Sequence, residues 1–252
     1  MNTLTRGVIG IRTWMFAGAL CLVSCFAGAD ELVSGKVLDN FVETREWHLV
    51  DRVSLNGEDT SKFESSPNAR GRILLNADTR VKRLPYLLTK KSYRDVDVTL
   101  EFMIPKGSNA GIYLMGRYEV QILDSYGKKE VKFSDIGGIY EEWARKGVDI
   151  GDRPLYKGSA PLVNAAKAPG EWQRLDIRFR APRFDAEGKK IEDARFLLVY
   201  LNGELVQKDV SVPAPTVSNP VAGESETGPI AIQGDHGPIA IRSFIAKPTP
   251  LK

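Results

Sequence analysis

DVDVTLEFMI, residues 95–104, alternates strictly: Val96, Val98, Leu100, Phe102 and Ile104 fall on one side of an extended chain, and Asp97, Thr99 and Glu101 on the other. That is the pattern of an antiparallel strand with one face packed and one face wet. Outward from it the pattern recurs. RLDIRFR (174–180) places Leu175, Ile177 and Phe179 on one face. RFLLVYLNGELVQKDVSV (195–212) carries Asn202-Gly203 between two apolar runs, a hairpin signal, because both turn positions must adopt positive φ. GIYLMGRYEVQILDSYG (111–127) reads as two strands joined by a tight turn. GPIAI occurs at 228–232 and again at 237–241, and the echo predicts a hairpin whose connection carries Gln233, Asp235 and His236. DIGGIYEEWARKG (135–147) leaves room for one short helical turn, and the Pro-rich stretches 213–220 and 248–250 read as a surface loop and a tail. Short strands punctuated by Gly and Pro predict an all-β, two-sheet antiparallel jelly-roll sandwich.

Residues 1–29 differ from the rest. Arg6 and Arg12 precede an apolar run, TWMFAGALCLVSCF, and AGA (27–29) offers a small-x-small cleavage site before Asp30. A secretory signal peptide over 1–29 is expected, followed by a single domain over 30–252 in the periplasm or outside the cell. The apolar run is short for a bilayer span, which needs about 20 residues. LVSC (22–25) echoes a lipobox, with Cys25 as the lipid-bearing residue, but no Gly/Ser-rich tether follows it, so cleavage after Ala29 is the reading adopted. Both cysteines, Cys21 and Cys25, then leave with the leader, and no disulfide or thiol nucleophile remains. Arg6 and Arg12 supply two of the formal +3 charges. The remainder is close to neutral with its signs dispersed, which gives no reason to expect a nucleic-acid partner.

Chemistry concentrates in YEVQILD (118–124). With a period of two, Tyr118, Val120 and Ile122 face one way and Glu119 and Gln121 the other. Asp124 has the wrong parity, and a bulge would bring it to the same face. Tyr113 is a neighbour on the preceding strand. Carboxylates beside aromatic rings suit carbohydrate chemistry: a ring packs on the sugar face while carboxyl groups move protons. The plainer alternative pairs Glu119 with Arg117 or Arg145 on a solvated face and leaves Asp124 to open a turn. His236, in QGDHG, sits in a glycine-flanked connection beside Asp235, where an imidazole can act as base or metal ligand. His48, in EWHLV, alternates with apolar residues and reads as structural. No metal-finger spacing, phosphate loop, dinucleotide fingerprint or Gly-x-Ser-x-Gly elbow is present.

The spacing of Glu119, Gln121 and Asp124 echoes the Glu-x-Asp-x-x-Glu of laminarinase-type retaining glycosidases, with two departures. An amide stands at the middle acid, and a shorter acid at the last. Gln121 cannot relay protons, and Asp124 changes the carboxyl separation that double displacement requires. GSNAGIYLMGRYEVQILDSYG, GGIYEEWA, APGEWQRLDIRFRAPRFDAEGKKIEDARFLLVYLNGELVQ and GPIAIQGDHGPIAIRSFIA together resemble the 3-keto-disaccharide hydrolase family over about residues 45–247. NAG at 109–111 replaces the more usual Asn-Ser-Gly. The resemblance implies a concanavalin/laminarinase-like sandwich, and secreted enzymes acting on sugars already oxidised at C3. A 3-keto group acidifies the C2 hydrogen, so elimination through an enolate needs no matched pair of glutamates. On this reading Glu119 and His236 handle protons or hold a metal, with Asp124 beside them. Gln121, Asp235, Gln233 and Arg117 are polar contacts to a sugar, and Tyr113, Tyr140 and Trp143 are aromatic ones. The resemblance leaves a divalent metal ion open, since oxygen-rich sites suit hard cations. A non-catalytic carbohydrate-binding sandwich and a conventional glycoside hydrolase stay open as alternatives.

Overall fold

The computed structural model describes residues 28–33, 37–42, 44, 46–76, 86–142 and 152–251. Residues 1–27 of the expected leader, with Cys21 and Cys25, and Trp143 and Arg145 lie outside the described residues. The chain runs through β1 (Asp30–Glu31), a 3-10 turn (Val37–Asn40), β2 (Phe41–Val42), β3 (His48–Leu55), β4 (Phe63–Pro67), β5 (Ile73–Asn76), β6 (Leu87–Tyr93), β7 (Val96–Met103), β8 (Asn109–Leu114), β9 (Tyr118–Leu123), β10 (Gln173–Arg180), β11 (Arg183–Phe184), β12 (Lys190–Glu192), β13 (Ala194–Leu201), β14 (Glu204–Val212), β15 (Gly228–Ile232) and β16 (Ile239–Pro248). Two antiparallel sheets form a sandwich. The larger has nine strands in the order β14-β13-β10-β7-β16-β5-β3-β4, with β1 beside β16; the smaller has five, β2-β6-β15-β8-β9. No described helix is long and apolar enough to cross a membrane.

Strand parity sets the core. On β7, Val96, Val98, Leu100 and Phe102 are buried, while Asp97 and Glu101 look outward to Arg178 and Arg242. On β10, Leu175, Ile177 and Phe179 join the same core. The sheets meet where Tyr118 of β9 lies 5.6 Å from Phe179 of β10, and within the larger sheet Phe179 lies 5.1 Å from Phe196 of β13. Such pairs contribute about 0.5–1.5 kcal/mol beyond the area they bury. Asn202 and Gly203 both take positive φ, 53° and 90°, in the hairpin between β13 and β14.

Four sequence expectations need correction. The GPIAI copies do not form a hairpin: β15 pairs with β6 and β8 in the smaller sheet, and β16 with β7 and β5 in the larger. Ile230 and Ile232 enter the core from one sheet and Ile239 and Ile241 from the other, so the repeat reflects two walls of one interior. Residues 233–238 are therefore a crossover between sheets. The Pro-rich stretch is more than a surface loop, because Thr216 is buried against β9. Residues 138–140 are extended rather than helical, with Ile139 bridging both Val120 and Ser159, and residues 143–147 of that stretch lie outside the described residues. His48 is exposed at the start of β3 rather than packed.

Candidate active site

β8 and β9 pair in unbroken register, with Tyr113 opposite Glu119 and Gly111 opposite Gln121. Tyr118, Val120 and Ile122 face the core, so Glu119 and Gln121 occupy the other face. They are nevertheless only 3% and 4% exposed. Two segments cover them. Residues 137–140 run along the free edge of β9, with Gln121 N donating to Gly138 O at 2.9 Å and Tyr140 N to Glu119 O at 3.2 Å. From the 213–227 loop, Thr216 Oγ1 accepts from the Glu119 amide at 3.1 Å, and Ser218 O accepts from the Tyr86 hydroxyl at 2.8 Å.

The Glu119 carboxyl folds over Gly111, whose missing side chain makes the space; a Cβ there would collide with Oε1. Tyr113, directly opposite, donates its hydroxyl to the carboxyl group, and the Tyr86 ring meets Tyr113 edge-on at 5.3 Å. Burial pushes the Glu119 pKa up to about 8; the Tyr113 hydrogen bond pulls it back in part, and the nearby Asp235 charge adds to the rise. The carboxyl group is therefore protonated at neutral pH. The Tyr86 hydroxyl is pushed up to about 12, mainly by burial. Gly111→Ala should leave the fold intact, since only a side-chain end must move. Displacing a reacting group by about 1 Å typically lowers turnover about 10²-fold, so kinetics alongside a thermal melt test the placement.

The crossover after β15 supplies the second group. Gln233 N donates to Gly111 O at 2.9 Å, which seats the crossover beside the Glu119 hairpin. Asn76 Nδ2 donates to Gly234 O at 2.6 Å, and Ser108 Oγ to Pro238 O at 2.7 Å. Gly234 and Gly237 pack against Asn76 and Ser108 too closely for any side chain. His236 is held between these anchors with more than half of its side chain exposed. Its Nδ1 lies 2.6 Å from Asp235 Oδ1 and 3.3 Å from Gln233 Nε2. These contacts ask for opposite tautomers, and the shorter one, to a carboxylate, favours a proton on Nδ1. Nε2 is then the lone-pair nitrogen, free to accept a proton.

The remaining candidates divide. Tyr140 shares the Glu119 face, and the carboxyl charge acts on its hydroxyl. Gln121 turns back on its own strand, its Oε1 accepting from Ile122 N at 2.9 Å. Asp124 is not brought in by a bulge: β9 stays regular, and the carboxyl instead caps a turn, accepting from Gly107 N at 2.9 Å. Arg117 is not paired with Glu119 either. Its guanidinium donates to the carbonyls of Met115, at 2.9 Å, and of Gly223. There it locks the turn in which Met115, a non-glycine residue, has φ 57°, a conformation that costs about 1–2 kcal/mol. Among the described residues no three His, Cys, Asp or Glu side chains form a metal-ligand group. The sequence reading missed Tyr86 and Thr216, which enclose Glu119.

No curated protein matches the sequence. Two crystal structures of proteins from Parabacteroides distasonis ATCC 8503, each named as a candidate glycosyl hydrolase, share the fold. One is 21% identical with a TM-score of 0.58, over 88% of this chain and 84% of the other. The second is 18% identical with a TM-score of 0.54, over 88% of this chain and 99% of the other. A family model matches residues 29–245, nearly all of the described chain and both halves of the Glu119–His236 face, and the protein therefore belongs to the family of 3-keto-alpha-glucoside-1,2-lyase-like domains.

Proposed function

We propose that this carbohydrate-active protein is a secreted enzyme that cleaves 3-keto-glycosides by removing the C2 proton, eliminating the glycosidic oxygen and adding water. One observation carries the reading. Two proton-handling groups on one face sit in opposed settings: a buried carboxyl held protonated to about pH 8, and an exposed imidazole oriented by a carboxylate at 2.6 Å. Pairs of titratable groups whose surroundings separate their protonation states assign acid and base.

The steps balance. His236 Nε2 takes the C2 proton, and the electron pair moves through C2–C3 onto the ketone oxygen. The Gln233 amide, 3.3 Å from His236 Nδ1, is the neutral donor beside the base. As the ketone re-forms, C1=C2 forms, the C1–O bond breaks, and the departing oxygen takes the Glu119 proton. The products are a C1=C2 unsaturated 3-ketone and a free alcohol. Water then adds its oxygen to C1 while Glu119 recovers a proton from it, and the imidazolium, exposed to solvent and exchanged with it, returns a proton to C2. The sum is hydrolysis with both residues restored. A conventional double displacement is disfavoured, since Gln121 is engaged with its own strand and Asp124 with a turn.

The test is incubation with a 3-keto-glucoside and with its unoxidised parent. Release of alcohol from the first and none from the second is expected. Equal cleavage of both would make the protein an ordinary glycosidase, and sugar binding without cleavage of either would make it a binding module.

A further inference from the structure

Beyond Glu119, on the side away from His236, the face continues as an aromatic surface. In the antiparallel pairing that joins Val120 to Ile139, Tyr140 sits across from Glu119 and shares its face, while Ile139 points into the core. The next extended segment pairs Ile139 with Ser159, whose side chain turns inward to Gln207. Gly158 therefore presents its bare side outward, and Phe133 lies on it; any Cβ at Gly158 would strike the Phe133 side chain. The Phe133 ring stands edge-on to Tyr140, 5.3 Å away at 79°. Both rings are half-buried, whereas Tyr113 and Tyr118 are buried fully.

The loop that carries Phe133 is stitched in place. Buried Asp135 accepts from Lys132 N at 2.9 Å, from Ser125 Oγ at 3.1 Å and from Lys128 Nζ at 2.5 Å. Burial alone would raise the Asp135 pKa, but the Lys128 ammonium and these donors hold it below the usual carboxylate range. A half-exposed aromatic pair on a pinned loop is a surface ready for a flat apolar partner, with little ordering left to complete on binding.

We propose that Phe133 and Tyr140 form the leaving-group subsite, and that it selects glycosides whose departing alcohol is planar and apolar, such as an aromatic alcohol. The direction rests on the lyase reading. The base lies at the crossover, the acid that protonates the departing oxygen is Glu119, and the departing group must extend past the acid. That path leads over Tyr140 to Phe133.

Calorimetric binding of phenyl α-glucoside and methyl α-glucoside, neither of them oxidised, tests the subsite without any turnover. Aromatic contacts of this kind give a preference of about threefold to tenfold for the phenyl compound. Phe133→Ala should abolish the preference while methyl glucoside binds as before, and Phe133→Tyr should keep it. If Phe133→Ala no longer binds methyl glucoside, Phe133→Leu, which keeps most of the volume, carries the test and should weaken the preference. Equal affinity of the wild type for both glucosides overturns the proposal, as does a preference that survives in Phe133→Ala or is undiminished in Phe133→Leu. A phenyl preference in a protein that cleaves no 3-keto-glucoside would keep the subsite and remove the lyase reading.

Discussion

Glu119→Gln is expected to lower turnover of a 3-keto-glycoside by about 10²–10⁴-fold, the usual contribution of one positioned acid. The substitution keeps shape and burial, and it keeps an acceptor for the Tyr113 hydroxyl, but it removes the proton that the departing oxygen needs. The wild type should lose kcat/KM as pH rises through about 8, where the carboxyl group ionises; the residual activity of the variant should lack that limb. Stability should fall over the same direction of pH. With its pKa raised in the folded state, Glu119 contributes fully below the ordinary carboxyl value of 4.5, and the contribution is lost as pH rises towards about 8. Ionising a carboxyl group with a shift of this size disfavours the fold by an amount on the order of 5 kcal/mol. At pH 9 the variant should therefore melt several degrees above the wild type, and at pH 4 the two should nearly coincide. An unchanged turnover would show that Glu119 is no acid, and a variant less stable at pH 9 would contradict its buried neutral state.

His236→Ala should reduce turnover by a similar factor of about 10²–10⁴, for a different reason. The imidazole is more than half exposed and makes its contacts to Asp235 and Gln233, both on its own crossover. Its loss should therefore leave the melt within about 0.5 kcal/mol of the wild type, as surface substitutions usually do. The crossover itself is anchored by Asn76 and Ser108 and should stay in place. Measuring exchange of the C2 hydrogen on a substrate whose C1–O bond cannot break separates the two roles. Exchange should disappear in His236→Ala and persist in Glu119→Gln. Normal turnover in His236→Ala would defeat the assignment of the base.

What was legible in the sequence was local. The alternation of 95–104 and 174–180 gave their faces, because a strand places successive side chains on opposite sides whatever its partners. The same parity put Glu119 and Gln121 opposite Tyr118, Val120 and Ile122. Partner choice was not legible. The GPIAI repeat looks like a hairpin locally, yet each copy finds its neighbours more than a hundred residues away, in a different sheet. Tyr86 reaches the site because β6 pairs with β15, and nothing in RLPYLLTK hints at that. Thr216 was hidden in a Pro-rich stretch that composition marks only as loop. Arg117 misled because it stands two residues before Glu119, whereas its hydrogen bonds run to carbonyls that only the fold assembles. Asp124 was drawn in by analogy with a three-acid spacing, and the Gly107 amide that actually engages it lies on the other side of a turn.

The central claim is that cleavage begins with loss of the C2 proton, and the fate of that hydrogen tests it most directly. A 3-keto-glucoside deuterated at C2 is turned over in ordinary water, quenched early, and the sugar product compared with deuterated 3-keto-glucose kept without enzyme for the same time. The account predicts that the enzymatic product has exchanged its deuterium for hydrogen while the control retains it. A product that keeps its C2 deuterium as the alcohol is released would contradict the account.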